Sequence, residues 1–170
     1  MAARANLNVS PQVTEEFVNA QESRNVRIMK IRIEGENLVL GNVILKEQSA
    51  AEDFDVLLVS SLEDSEAAFI LFCLTDDPQA AQNWLMVTWI PDGCRVRDKM
   101  LYSSSRDDLK RKIGLGYFKS EYAANYRSDI SWSHYLSSLE KETSLDVLTE
   151  NERLLQEEKV VFCFYHIIFR

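Results

Sequence analysis

The stretch VTWIPDGCRVRDKMLYSSSRDDLKRKIG, residues 87–114, reads as the end of a buried strand, a sharp break and a long helix. Trp84 to Ile90 is a nearly continuous apolar run of strand length, and Pro91-Asp92-Gly93 ends it. Nothing from Arg95 to Ile113 interrupts a helix, and Gly114 and Gly116 supply a stop. Leu109 and Ile113, four apart, can hold the second half of that helix on a sheet. The first half is left to present a mixed surface in which Met100 and Leu101 stand among charges, with Lys99 near Arg95, Arg106 near Lys110, and Arg111 continuing the polar side from Asp107 and Asp108.

Working outward, Ala67 to Leu74 is a second apolar run, and two such runs suit strands covered on both faces at the middle of a sheet. Upstream, VRIMKIRI (26–33) and LVLGNVIL (38–45) flank the turn EGEN (34–37) and predict a hairpin. Ser10-Pro11 opens a helix carrying Val13, Phe17 and Ala20, and Asp53 to Leu62 reads as a short helix. Downstream, YFKSEYAANY (117–126) predicts a short strand. Trp132, Tyr135, Leu136 and Leu139 predict an amphipathic helix packed on the sheet. Thr149 and Glu152 have capping-box spacing, and the chain ends in the apolar run VVFCFYHIIFR (160–170).

At 170 residues, 46% hydrophobic and 27% charged, the chain holds enough apolar material for one core of ordinary size. No run reaches the ~18 apolar residues of a membrane-spanning helix, so a cytoplasmic address is expected. Cys73, Cys94 and Cys163 share no metal-ligand spacing with one another or with His134 and His166, so no metal or cofactor is expected. The net charge of −8 discourages nucleic-acid binding, yet residues 95–119 carry eight basic residues against three acidic ones, a local +5, while the rest sums to −13. A Met flanked by Arg and Lys suits an apolar cleft in an acidic partner, and a plainly solvated helix face is the alternative. There is no P-loop, GxSxG, HExxH or GxGxxG, so the chain is expected not to be an enzyme; a nucleophilic Cys94 is the alternative weighed.

Val96-Arg97-Asp98-Lys99-Met100 followed by Leu101-Tyr102-Ser103-Ser104-Ser105 resembles the VR-x-KM-x-YA-(S/T)-(S/T) stretch of the actin-depolymerising factor homology (ADF-H) domain, in which a strand ending in Trp-x-Pro leads into a long helix. Arg106 to Arg111 matches the continuation. LVLGN (38–42), DFDVLLVSSLED (53–64) and ILF (70–72) are similar to the N-terminal domain of the family's twinfilin branch, and the resemblance runs over roughly residues 7–158.

The resemblance implies an α+β, gelsolin-like fold: a central mixed sheet of about five strands flanked by helices on both faces. It implies a domain over 1–142, a linker-like helical segment over 143–159 leading toward a second domain, and a tail, 160–170, with no counterpart. A truncated or spliced product is the expectation that follows. The implied activity is binding of monomeric, preferentially ADP-loaded actin, which inhibits filament assembly. By matched position Arg97, Lys99 and Met100 make the first contacts, Asp107, Lys110 and Arg111 extend them, and Leu7 to Ser10 adds Ser10.

Two alternatives use the same basic helix: cofilin-like filament binding and severing, and phosphoinositide binding with Arg95, Arg106 and Lys112 at the head groups. Filament-binding members carry basic residues where Ala81 and Asn83 stand here, and the first serine here is Ser10, so the serine switch beside the initiator Met is expected to be absent. A cytoskeleton-associated monomer is expected, with capping protein a partner only of a longer form.

Overall fold

The computed structural model describes residues 7–141. The chain divides into two compact units, Met1–Trp132 and Ser133–Arg170. The segments 143–159 and 160–170, including the Thr149–Glu152 pair, lie outside the described residues.

The first unit is built on one six-stranded sheet in the order β1-β3-β2-β4-β5-β6. The strands are β1 (Asn8–Val9), β2 (Val26–Glu34), β3 (Asn37–Leu45), β4 (Ala68–Cys73), β5 (Trp84–Trp89) and β6 (Phe118–Ala124). The sixth strand, beyond the five or so expected, is the two-residue β1, which runs parallel to β3. β4 and β5 are buried at every residue, as continuous apolar runs require of central strands. The β2–β3 hairpin closes through Gly35-Glu36, with Gly35 at φ +63, a left-handed conformation that glycine adopts without a Cβ clash.

β5 and β6 are parallel, so the chain must cross over between them, and α3 (Val96–Ile113) is that crossover. One face of the sheet is covered by α1 (Pro11–Ser23) and α3: Val13, Phe17 and Ala20 of α1 and Tyr102 and Leu109 of α3 share a core with Met29, Ile31, Phe69, Leu71, Trp84 and Met86. Alternation sends Ile28, Ile70, Phe72 and Val87 to the opposite face. There Phe54 stacks edge-on against Phe72 at 5.2 Å and against Trp132 at 5.6 Å.

The helix expected over 53–62 starts earlier. Ser49 accepts from the N–H of Glu52 while the Glu52 carboxylate reaches back to the N–H of Ser49, and this capping box opens α2 (Ala50–Asp53). The backbone then widens into a π-helical turn over Phe54–Leu58, which buries Phe54 and Leu58. Helical backbone also begins at 132 and runs through 141, with Tyr135 buried and Leu136 exposed.

β2 holds a feature that alternation alone does not announce. Arg27 is 1% exposed, and its guanidinium donates to Asp53 at 2.7 Å, Asp76 at 2.7 Å, the Cys73 carbonyl at 2.8 Å and the Gln48 carbonyl at 2.9 Å. A buried cation is tolerated only when its donors are spent in this way. Asp76, in the loop after β4, is one of its two carboxylate partners. Burial opposes its ionisation, but the N–H of Ala50 and the Arg27 guanidinium outweigh that and hold its carboxyl below the usual range.

Candidate functional site

α3 carries every candidate except Ser10 and Arg95, the latter standing at its N-cap, and the 3.6-residue repeat sorts the others by face. Tyr102, Ser105 and Leu109 are buried and fix the helix to the sheet, with the N–H of Ile33 donating to the Tyr102 hydroxyl at 2.8 Å. On the side facing away, Val96, Met100, Ser103, Asp107 and Arg111 follow at intervals of three or four as one exposed ridge. Val96 is 73% and Met100 70% exposed, so the methionine is at the surface. Arg97 stands on one shoulder of this ridge.

The cations divide into free and held. Among the described residues Arg95, Arg97 and Arg111 are exposed and make no hydrogen bond or ion pair. Lys99 pairs with Asp92 at 3.3 Å, an exposed contact of the kind worth about 0–1 kcal/mol. Along the flank toward β6, Arg106 lies 3.1 Å from Glu121, and Lys110 bonds both Glu121 and Asp107. The Lys110 hydrogen bond holds the Asp107 carboxyl below the usual range.

On the other flank Asp108 accepts from the N–H of Leu7 at 3.3 Å, and Lys112 donates to the Leu7 carbonyl while pairing with Asp108 at 3.4 Å. Leu7 is thus tied to the end of α3. Ser10 precedes α1 with its N–H bonded to the Leu38 carbonyl, and its Oγ is buried without a partner rather than offered to solvent.

The strand end and turn that lead into α3 pack on the segment 59–64, which Arg127 also grips. Trp89, 1% exposed, donates its indole N–H to the Glu63 carbonyl at 2.8 Å. Gly93 packs so closely on the Asp64 carbonyl oxygen that a Cβ would sit 2.7 Å from it. Arg127 donates to the Asp64 carboxylate at 2.5 Å and to the carbonyls of Val59 and Leu62 at 3.0 and 2.8 Å. Burial pushes the Cys94 thiol up, which disfavours the nucleophilic thiolate.

Sequence reasoning passed over Val96, although its i, i+4 spacing to Met100 marks a shared face. It also missed Asp92 and Tyr126, which meet through the fold. The resulting surface sets two exposed apolar side chains, Val96 and Met100, beside guanidinium groups that have no partner among the described residues.

The sequence pattern of the cofilin/tropomyosin-type actin-binding proteins matches residues 6–140. Among solved structures, a twinfilin from Entamoeba superposes with a TM-score of 0.72 at 27% identity, covering 79% of this chain and 99% of that one. Plasmodium berghei actin depolymerization factor 2 gives 0.64 at 18% identity, covering 78% and 94%, and Streptomyces griseoflavus cofilin gives 0.63 at 15%, covering 77% and 95%. The last two likenesses are of fold.

Proposed function

The chain belongs to the cofilin/tropomyosin-type actin-binding proteins, and from that membership we propose that it binds monomeric actin, preferentially ADP-loaded, through the exposed ridge of α3 and so inhibits filament assembly. The observation that carries this reading is the ridge itself: Val96 and Met100 project from the first half of α3, with Arg97 and Arg111 free of any partner among the described residues. The apolar pair supplies a desolvated anchor, and the unpaired guanidinium groups supply orientation toward carboxylates. No bond is made or broken, so the activity is association, and the protein's place is with the cytoskeleton.

Lys110 and Asp107 join the surface through a pair they can exchange, and Lys99 joins it with a side chain that stays partly exposed beside Asp92. The loop before β5 around Ala81 and Asn83 is uncharged and exposed in part, which favours monomer binding over filament side-binding. The phosphoinositide alternative keeps only Arg95 free of its three cations, because Arg106 and Lys112 are engaged within the chain. Titration of monomeric ADP- and ATP-actin with the full chain tests the reading, together with co-sedimentation. Sequestration leaves actin in the supernatant and binds the ADP form more tightly. Recovery of this protein in the filament pellet, or no monomer binding, refutes it.

A further inference from the structure

We propose that Tyr126 and Asp92 are positioning residues of the docking surface: the Tyr126 hydroxyl fixes the Asp92 carboxylate, which fixes the Lys99 ammonium where a partner's carboxylate meets it. This rests on the reading of α3 as the actin-binding element.

The geometry is a three-part chain. Tyr126 donates its hydroxyl to one oxygen of Asp92 at 2.5 Å, and the other oxygen accepts from Lys99 at 3.3 Å. Both ends of the Tyr126–Asp92 bond stand on backbone that is locked from elsewhere. Asp92 sits in the tight turn where the N–H of Cys94 bonds the Pro91 carbonyl at 3.1 Å, and the next residue, Gly93, is pressed on Asp64. Tyr126 is followed by Arg127, whose three hydrogen bonds attach it to the segment from Val59 to Asp64.

A lysine at a surface otherwise samples many rotamers, and ordering it on binding is a cost the complex must meet. Here one of the three ammonium donors goes to Asp92, which selects a rotamer, and the other two remain for a partner. The side chain is still 35% exposed, so the ammonium is not sealed off. Arg97, two residues earlier, has no such guide. The surface therefore combines one cation held in advance with one that adapts.

The competing possibility is that Asp92, 60% exposed, acts as a screen that repels the partner's acids. The two roles predict opposite signs. The test is titration of monomeric actin with the full-length chain and its Tyr126→Phe, Asp92→Ala and Lys99→Ala variants, each with its thermal unfolding midpoint. Tyr126→Phe removes one hydroxyl and is expected to weaken binding about three- to ten-fold without a change in midpoint.

The loss should persist in an Arg97→Ala background and vanish in a Lys99→Ala background, a coupling that a merely structural role would not give. Tighter binding by Asp92→Ala overturns the proposal in favour of the screen. Unchanged affinity for Tyr126→Phe beside a loss for Lys99→Ala overturns the positioning role and leaves the docking helix standing. Unchanged affinity for both removes Lys99 from the surface and the proposal with it, and Arg97→Ala then decides whether the helix reading survives.

Discussion

Replacing Arg97 and Lys99 together by Ala separates binding from folding, because the structure assigns almost none of the fold's stability to either side chain. Arg97 is exposed and makes no contact with a charged partner, so its truncation belongs with surface substitutions that change stability by about 0.5 kcal/mol or less. Lys99 gives up one exposed ion pair, worth at most about 1 kcal/mol. The fold should remain intact. If the proposed interface is right, the same two cations flank the exposed Val96 and Met100 and are desolvated there against partner carboxylates. Truncating such groups costs about 2–4 kcal/mol in total, which is a loss of roughly 30- to 1,000-fold in affinity.

The assay is titration of fluorescently labelled ADP-actin monomers, with far-ultraviolet circular dichroism and a thermal midpoint for each variant. Arg106→Ala is the internal control, since Arg106 points to Glu121 on the flank, and its affinity should change by less than about 0.5 kcal/mol. A folded double variant that binds within two-fold of the parent would falsify the assignment of this helix to the interface.

Three further outcomes follow from the fold. Arg27→Ala strands the buried Asp53 carboxylate, and urea denaturation should report a loss of about 3–5 kcal/mol with an unchanged slope; a loss below about 1 kcal/mol contradicts the described network. Gly93→Ala forces a methyl against the Asp64 carbonyl, so the thermal midpoint should fall by an amount equivalent to about 1–3 kcal/mol, whereas an unshifted midpoint would mean that the turn yields freely. Because the folded state holds the Asp76 carboxyl below its ordinary value of 3.8, its contribution to stability is present above that pH and is lost as the pH falls through the lower folded value. Urea midpoints measured from pH 6 down to pH 2 should therefore fall less in Asp76→Asn than in the parent, and parallel curves would dissociate Asp76 from acid unfolding.

The parts of the fold set by local pattern were readable from residues alone. β4 and β5 announce themselves as unbroken apolar runs, and α3 is delimited by Pro91 and Gly114, so strand, helix and stop needed no tertiary information. The helix read over 53–62 starts earlier in the structure because Ser49 and Glu52 form a capping box, a spacing the reading from Asp53 onward did not use. The candidate site divides differently. Spacing along the helix places Arg97, Met100 and Arg111 on related faces, which the structure repeats. Spacing cannot say which cations stay free, because their partners come from distant segments: Glu121 from β6 takes Arg106 and Lys110, and Leu7 takes Lys112. Arg27 is the same lesson inside the core, since its neighbours Asp53 and Asp76 are 26 and 49 residues away.

The tie between Leu7 and the far end of α3 makes the segment Leu7–Val9 a lever on the proposed recognition surface. Substitution at Leu7, or a protease cut just after Val9, would disturb Asp108 and Lys112 beside the row that ends at Arg111. A reporter attached at that segment would read its own disturbance. Labels meant to follow partner engagement belong on Leu45 or Val56, exposed side chains remote from that knot.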